Sequence, residues 1–289
     1  MRSDVRRAVA RALSAGVTSA RRLGGGSIND AFTVRLDDGR DIFVKMNASA
    51  DRRMFPREAR GLAWLADAHA IAVPKVLAVS DEAGQAPAFL ALELVTPAPR
   101  APDFDEQLGH DLAALHASGA DRFGLSYDNF IGTLAQRNAP CATWAEFYVT
   151  RRLEPQLRLA VDRRTAPASW TGMLTRLSAQ VPDLVGPDES PARLHGDLWS
   201  GNLHTDARGG PCLIDPAAYG GHREIDLAML ALFGNPGHRF LDAYDDRYPL
   251  GPGARERIPL YQLYPLLVHV NLFGGSYVDA AARAMSHYV

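Results

Sequence analysis

Two carboxylates and a carboxamide lie close together in an otherwise apolar part of the sequence. Asp197 and Asn202 belong to the segment HGDLWSGN, and Asp215 follows the apolar run CLI. The spacing of Asp197 and Asn202 fits neither one strand face nor one helix turn, so we expect a turning loop to bring their side chains together. Gathering polar groups costs desolvation free energy, which a bound ligand can offset. The stretch therefore predicts a binding or catalytic site.

Upstream, the sequence supplies a lysine and a glycine-rich turn. Lys45 and Lys75 are the only lysines of the chain. Lys45 lies in an alternating apolar run that predicts a strand. Ahead of this strand, a run of glycines predicts a turn whose bare backbone amides can approach an anion. The residues of this turn are Gly24, Gly25, Gly26 and Ser27.

A third carboxylate lies on the apolar face of a predicted helix. Glu58, Leu62 and Leu65 stand at i, i+4 and i+7 in the segment FPREARGLAWLADAHA. This spacing places them on one helical stripe, so the carboxylate points with the leucines toward the interior. A carboxylate in that position needs a buried cation, and Lys45 is the nearest candidate upstream.

In chain order, these residues form the set that phosphoryl transfer from ATP requires. Lys45 would contact the phosphates and Glu58 would hold it. Asn202 and Asp215 offer hard oxygen ligands to Mg²⁺. Asp197 would accept or orient the proton of the attacking hydroxyl. The residues therefore predict ATP and Mg²⁺ as cofactors.

A zinc site is the alternative that the residue types leave open. His195, Asp197, His204 and Asp215 are all potential zinc ligands, but their spacing follows no recognised zinc pattern. A zinc site also leaves the lysine and the glycines unexplained. We instead expect His195 to be a structural histidine, hydrogen-bonded near the catalytic loop.

The elements that position these residues form two predicted lobes. Before about residue 95, the patterns predict a helix over residues 5–13, a hairpin turning at Asp38 and Gly39, the Glu58 helix and two further strands. We expect an α+β fold that resembles the two-lobed architecture of protein kinases. Its N-terminal lobe, residues 1–95, would have an antiparallel sheet and one main helix.

The second predicted lobe, residues 96–289, is larger and mostly helical. Apolar residues recur there with a helical period, and short strands flank HGDLWSGN. Residues 121–140 are polar and punctuated by glycine, which predicts a loop.

Composition excludes several classes of function. The 289 residues carry 31 Lys and Arg against 33 Asp and Glu, so the net charge of −2 gives no basic footprint for nucleic acid. No apolar run reaches the ~18 residues that a membrane helix requires. Cys141 and Cys212 are too far apart in sequence to form a disulfide framework, which favours a reducing cytoplasm. The pattern therefore predicts a cytoplasmic protein that binds neither nucleic acid nor membrane.

Several motifs together resemble the fructosamine kinase (ketosamine-3-kinase) family, within the larger group that resembles protein kinases and aminoglycoside phosphotransferases. The strongest are LHGDLWSGN and IDPAAYGGHREIDLAML, and others are GGGSIN, FVK, DNFIG and the FY, RL and PQ pairs of residues 147–156. HGDxxxxN alone indicates only the larger group. Trp199, Tyr219 and the HRE triplet at residues 222–224 narrow the resemblance to this family.

The resemblance implies ATP- and magnesium-dependent phosphorylation of the 3-hydroxyl of a ketosamine, free or protein-bound, after which the phosphate is eliminated and the amine is released. It implies that Asp197 is the catalytic aspartate, that Asn202 and Asp215 bind the metal, and that Lys45 binds phosphate. Backbone groups at the connection between the lobes would bind adenine. These are Glu93, Leu94 and Val95.

The same resemblance assigns supporting and acceptor residues. Asp226 would brace the catalytic loop. Trp199 is either a packing residue or the wall of a sugar site. The segment His222, Arg223 and Glu224 is either a solvated turn or, beside the metal loop, part of the acceptor pocket, to which Tyr219 is also assigned.

One departure from regulated protein kinases bears on the substrate. Asp226 follows Asp215 by only 11 positions, which leaves no room for a long activation segment. We therefore expect small ligands as substrates, and control by activation-loop phosphorylation is disfavoured.

Two other functions remain open at the level of sequence. One is a kinase for another small hydroxyl compound, such as an aminoglycoside or choline, which a substrate panel would separate. The other is a nucleotide-binding pseudokinase that serves as an interaction module. Its usual signature is loss of one active-site residue, but this chain retains the full set: Lys45, Glu58, Asp197, Asn202 and Asp215. The sequence does not indicate an oligomeric state.

Overall fold

A computed structural model of the protein describes residues 1–24, 28–83, 87–234 and 237–288. Three residues of the predicted glycine-rich turn, Gly25, Gly26 and Ser27, lie outside these ranges. The fourth, Gly24, follows directly after the first strand.

The N-terminal part is a five-stranded antiparallel sheet with the strand order β1-β2-β3-β5-β4. The predicted hairpin is formed by the second and third strands, which turn at Gly39, where φ is +87°. A positive φ is readily adopted by glycine. The strands are β1 (Val17–Leu23), β2 (Asp30–Leu36), β3 (Asp41–Met46), β4 (Val76–Val79) and β5 (Phe89–Glu93).

Two helices cover this sheet, α1 (Ser3–Leu13) and α2 (Met54–Ala66). Phe89 and Ala91 pack in the core that contains α1, whereas the alternate residues Leu90 and Leu92 pack in the core that contains α2. Because successive strand residues point to opposite faces, the two helices lie on opposite sides of the sheet. The face that carries α2 is the one that meets the rest of the protein.

The remainder of the chain is mainly helical. Short antiparallel pairs connect its helices, and two of these pairs flank the HGDLWSGN segment. The pairs are β6 (Asn129–Ile131) with β7 (Leu134–Gln136), β8 (Ala192–Leu194) with β11 (Tyr219–Gly221), and β9 (Leu203–Thr205) with β10 (Pro211–Leu213). The helices are α3 (Phe104–Ala117), α4 (Trp144–Phe147), α5 (Glu154–Asp162), α6 (Trp170–Leu184), α7 (Glu224–Phe233), α8 (His238–Arg247), α9 (Ile258–Phe273) and α10 (Ser276–Ser286).

The expected α+β architecture, with an N-terminal antiparallel sheet and a helical C-terminal part, is confirmed. The prediction of an irregular loop over residues 121–140 is wrong, because this stretch contains the β6–β7 hairpin. A further irregularity is the π-helical segment Tyr148–Leu153, which joins α4 to α5. Within the described ranges, every helix is too short or too polar to cross a membrane.

Helices α3 and α8 approach closely enough that their contact requires a glycine. A Cβ atom at Gly109 of α3 would lie 2.5 Å from the carbonyl oxygen of Phe240 and 2.9 Å from the backbone nitrogen of Tyr244. Backbone atoms of a helix cannot move aside to make room for the added Cβ, whereas the end of a flexible side chain can. The contact matters to the HGDLWSGN segment because α3 carries His116, which contacts Asp226 of α7.

We expect Gly109→Ala to lower the free energy of unfolding by about 1–3 kcal/mol, because the overpacking outweighs the better helix propensity of alanine. Gly172→Ala in α6 is the matched control. Its added Cβ would meet only the end of the Arg176 side chain, at 3.7 Å, so alanine there should be neutral or stabilising by up to about 1 kcal/mol. Urea denaturation of both variants tests this contrast. Equal stability changes would show that the α3–α8 contact adapts.

Candidate active site

The HGDLWSGN segment forms a tight loop between β8 and β9. Its turn requires Gly196, where φ is +81° and an added Cβ would lie 2.2 Å from the carbonyl oxygen of Ala217. His195 is fully buried, and its Nε2 lies 2.9 Å from the carbonyl oxygen of Ile214. This position of His195 agrees with a structural role.

The carboxylate of Asp226 anchors the backbone of the HGDLWSGN loop. Its carboxylate accepts hydrogen bonds from the backbone N–H groups of His195, at 2.7 Å, and Gly196, at 2.9 Å. The Nε2 atom of His116 lies 3.3 Å from the same carboxylate, while its Nδ1 is 2.7 Å from the hydroxyl of Tyr244. Helices α3, α7 and α8 therefore converge on one buried carboxylate that fixes the backbone just before Asp197.

The turning loop brings Asp197 and Asn202 into contact. The Asn202 side-chain amide donates to the backbone oxygen of Asp197 at 2.9 Å and to its carboxylate at 3.2 Å. Burial raises the pKa of Asp197 to about 7, and the negative charge of Asp215 acts in the same direction.

Asp215 reaches the same site from the end of β10. The backbone N–H of Ile214 donates to the carbonyl oxygen of Asn202 at 3.0 Å, so the β9–β10 pairing sets Asp215 beside Asn202. Asp215 has a left-handed φ of +53°, which directs the chain away from the strand after this residue. Although burial opposes ionisation of Asp215, the neighbouring Lys45 outweighs it and lowers the pKa of this carboxyl.

Lys45 joins the two parts of the chain. Its side chain is only 3% exposed, and its ammonium contacts Glu58 of α2 and lies 2.9 Å from the Oδ1 atom of Asp215. Burial alone would lower the pKa of Lys45, but the two carboxylates raise it instead. Burial also raises the pKa of Glu58 to about 7, against the opposing effect of Lys45. The structure thus brings together Lys45 and Glu58, the two residues that the sequence patterns suggested would pair.

These side chains border a cleft of about 510 Å³ between the sheet and the helical part. Residues from both parts contribute, including Gly24 at the start of the glycine-rich turn. Among the described residues, no three His, Cys, Asp or Glu side chains are grouped so that they could hold a metal ion. The other predicted site residues on the cleft are Lys45, Glu58, Asp197, Trp199, Asn202 and Asp215.

Glu93, Leu94 and Val95 do not line this cleft. The backbone N–H of Glu93 donates to the carbonyl oxygen of Lys75 at 2.9 Å, and its carboxylate accepts from the Lys75 N–H at 3.0 Å. The role of the three residues in adenine binding stays a prediction.

The predicted acceptor residues divide into two groups. Trp199 lines the cleft and is 39% exposed. In contrast, Tyr219, His222, Arg223 and Glu224 are each at most 4% exposed and lie away from the cleft lining. Their assignment to the acceptor pocket stays a prediction.

Two of these residues, Arg223 and Glu224, have charged partners inside the protein. Arg223 donates two hydrogen bonds of 2.8 Å to Glu189, and Arg257 pairs with Glu224 at 2.8 Å. Paired charges of this kind can be buried without a ligand. They secure the start of α7, which carries Asp226.

A buried polar network lies behind the cleft, and the sequence patterns did not predict it. Arg152, from the π-helical segment, donates to the side chain of Asn138 at 2.7 Å. Asn138 donates in turn to Asn129 at 2.7 Å, and Asn129 borders the cleft and donates to the carbonyl oxygen of Ala218 at 2.9 Å. The only sequence signal was the family resemblance at Asn129 and Arg152, which carried no role for either residue.

The whole fold is that of a known class of enzymes. A crystal structure of choline kinase from Streptococcus pneumoniae superposes with a TM-score of 0.65 over 98% of both chains. The sequence identity is 18%, so this similarity shows the fold alone. The chain therefore has the protein-kinase-like fold.

Closer relatives identify the family. The family model described as fructosamine kinase matches residues 1–289. The chloroplastic protein-ribulosamine 3-kinase of Oryza sativa subsp. indica is 36% identical over 278 residues, which cover 94% of this chain and 79% of the relative. A structure from Thermobifida fusca, provisionally described as a fructosamine-3-kinase, is 41% identical, with a TM-score of 0.86 and 98% coverage of both chains. The chain belongs to the fructosamine kinase family and is a phosphotransferase.

We expect Asp226→Asn to lower the free energy of unfolding by about 1–3 kcal/mol and to reduce turnover, because the loop before Asp197 loses a charge-assisted acceptor. Asp206→Asn is a matched control, since the Asp206 carboxylate also accepts from two backbone N–H groups, those of Arg208 at 2.8 Å and Gly210 at 2.9 Å, but in a solvent-facing turn. This control should change stability less and leave turnover intact. Thermal unfolding measures the change in stability, and steady-state kinetics measure the change in turnover. Full activity of the Asp226→Asn variant would show that the charge of Asp226 is not needed to hold the loop in position.

Proposed function

We propose that the protein uses ATP and Mg²⁺ to phosphorylate the 3-hydroxyl of ketosamines, sugars attached to amines by glycation. Elimination of the 3-phosphate would then release the amine, so that the reaction reverses glycation. The observation that supports this proposal best is the Lys45 ammonium, held by Glu58 and Asp215 within the cleft that Asp197 and Asn202 also border. The name of the rice relative, a protein-ribulosamine 3-kinase, points to the same class of acceptor.

Lys45 is the proposed phosphate-binding residue. Its position is fixed by two carboxylates, and a fixed ammonium can orient a triphosphate without a large loss of side-chain entropy. Gly24 borders the same cleft, and the glycine-rich turn that begins there would add backbone amides. We place adenine near Glu93, Leu94 and Val95, at the connection between the proposed lobes 1–95 and 96–289.

Asn202 and Asp215 would hold the magnesium ion. Their donor atoms suit this ion, because Mg²⁺ prefers oxygen ligands and is bound through one or two carboxylates together with phosphate and water. The Asn202 amide nitrogen is engaged by Asp197, which leaves its oxygen for a cation. Bound there, the ion would neutralise charge on the phosphates during transfer.

Asp197 is the proposed general base. Its carboxylate would take the proton of the ketosamine 3-hydroxyl as that oxygen bonds to the γ-phosphorus. The bond between the γ-phosphorus and the bridging oxygen then breaks, and ADP leaves. The hydrogen bond from Asn202 orients the Asp197 carboxylate for this step.

Trp199 is the proposed wall of the sugar site. A Cβ atom at Gly201 would lie 2.2 Å from the indole ring, so the ring rests directly on the backbone of Gly201. A rigid aromatic face beside the base can stack on the apolar face of a sugar. We also infer a reducing compartment such as the cytoplasm, because Cys141 and Cys212 are both free thiols.

A coupled ADP-release assay tests the substrate class. We expect turnover with ribuloselysine and fructoselysine, and none with an aminoglycoside or choline. Activity only with choline or the aminoglycoside would support a kinase for another small hydroxyl compound. Nucleotide binding without turnover of any of the four would favour a pseudokinase over the proposed function.

We expect Asp197→Asn to lower kcat by about 100-fold or more, because the base and its charge are lost. The affinity for Mg·ATP should stay within about twofold, since Asp197 is assigned to neither the phosphates nor the metal. Calorimetric titration with Mg·ATP and initial-rate kinetics give the two quantities for one preparation. Unchanged turnover would exclude Asp197 from the mechanism.

We expect Asp215→Ala to weaken Mg·ATP binding by roughly tenfold or more, because it removes the charged metal ligand. Asn202→Ala should act in the same direction, and the Asp206→Asn variant in the solvent-facing turn serves as the unaffected control. Nucleotide titrations at several magnesium concentrations measure the effect. Equal Mg·ATP affinity in the Asp215 variant and the parent would contradict the metal assignment.

A further inference from the structure

An aromatic ledge leads out of the cleft. We use this name for the cluster of Trp199, Phe233, His269, Phe273 and Tyr277. Among the described residues, the exposed large apolar side chains are Trp199, 39% exposed, and Phe273, 52% exposed, and both belong to this cluster. Exposed apolar surface of this kind marks binding sites more often than isolated apolar residues do.

The rings of the ledge follow one another in an unbroken series. The ring centroids of Trp199 and Phe233 are 6.2 Å apart, those of Phe233 and His269 are 4.7 Å apart, and those of His269 and Phe273 are 5.5 Å apart. Tyr277 closes the outer end, 4.8 Å from His269 and 6.2 Å from Phe273. Each separation lies within or near the range of favourable aromatic pairs.

Two glycines shape the outer end of the ledge. Gly274 and Gly275 connect α9 to α10 with φ values of +63° and +61° and ψ values near −139° and −136°. This combination is almost restricted to glycine. The connection turns the chain sharply enough for Phe273, the last residue of α9, to meet Tyr277 in the first turn of α10.

The inner end of the ledge is part of the catalytic loop. Trp199 follows Asp197 by two positions and lines the cleft. The hydroxyl of Ser200 donates to the carbonyl oxygen of Phe233 at 2.8 Å, which attaches the loop to the end of α7. The ledge is therefore continuous with the site that holds the proposed base.

The chemistry of the ledge favours a neutral or cationic ligand with hydrocarbon parts. Its five side chains include no Lys or Arg, and the Nδ1 atom of His269 is 2.8 Å from the carbonyl oxygen of Pro265. Burial lowers the pKa of His269, which disfavours a positive charge on its imidazole. Aromatic faces attract both alkyl chains and ammonium groups.

We propose that the ledge binds the amine-bearing part of the substrate and that this part is a glycated lysine within a polypeptide. This inference rests on the proposed function. In a ketosamine, the amine nitrogen is bonded to C1 of the sugar, two carbons from the 3-hydroxyl. When that hydroxyl meets Asp197, the nitrogen and its carbon chain leave the sugar near Trp199 and continue outward.

The extent of the ledge selects the polypeptide over a free amino acid. The ring centroids of the inner pair, Trp199 and Phe233, are 6.2 Å apart, and we expect the side chain of a single lysine to extend no farther than these two rings. Each flanking residue of a peptide extends by about 3.5 Å, so two or three of them reach the outer rings, Phe273 and Tyr277. The exposed ring of Phe273 can contact the substrate only when the substrate continues beyond its lysine.

The test compares Phe273→Ala with the parent on two substrates, free ribuloselysine and a heptapeptide with a central ribulosylated lysine. We expect kcat/KM for the peptide to fall by about 3- to 10-fold, mainly through KM, as for loss of one aromatic contact. For free ribuloselysine the change should stay below about twofold. The thermal unfolding midpoint should not move, because Phe273 is 52% exposed.

Tyr127→Ala is the matched control, since Tyr127 is an aromatic residue on a different surface, beside Arg57 and Arg60. It should affect neither substrate. If the parent phosphorylates both substrates and Phe273→Ala lowers both equally or neither, the ledge assignment is overturned while the proposed function stands. If the parent phosphorylates no ketosamine, the proposed function fails, and the assigned occupant fails with it.

Discussion

The buried ammonium of Lys45 is the interaction on which the rest of the site depends. It joins a strand of the sheet, helix α2 and the end of β10, and its two carboxylate partners, Glu58 and Asp215, come from positions far apart in the chain. A charge that is only 3% exposed must be paired, because loss of one partner leaves an uncompensated ion in a poorly solvated place. The pairing therefore sets the distance between sheet and helical part, and with it the width of the cleft.

A second set of buried charges fixes the opposite wall. The pairs Arg223–Glu189 and Arg257–Glu224 secure the beginning of α7, and Asp226 on the first turn of that helix holds the catalytic loop through two backbone hydrogen bonds. The charged residues of the HREID motif are thus engaged in buried ion pairs and backbone hydrogen bonds. These contacts hold the HGDLWSGN loop in position, and Trp199 of that loop faces the cleft.

The sequence was informative where the pattern was local. Alternation and the Asp38-Gly39 turn predicted the β2–β3 hairpin, and the stripe shared by Glu58 and the leucines predicted a carboxylate facing inward toward a cation. It was uninformative where partners are distant, because nothing local in the sequence links Arg223 to Glu189 or predicts their buried ion pair. The β6–β7 hairpin was missed because each of its strands has three residues, too few for alternation to be recognised.

The short stretch between Asp215 and Asp226 bears on how the proposed acceptor would be selected. It is built into the fold, because Ala217 donates to the carbonyl oxygen of His195 at 3.0 Å and β11 pairs with β8. Gly220 exchanges two hydrogen bonds with Gly124, at 2.8 and 3.1 Å. A segment held on both sides cannot also order and disorder as a regulatory loop does. In the proposed reaction, recognition of the acceptor would then fall to fixed surfaces beside Asp197, and the aromatic ledge that begins at Trp199 offers such a surface.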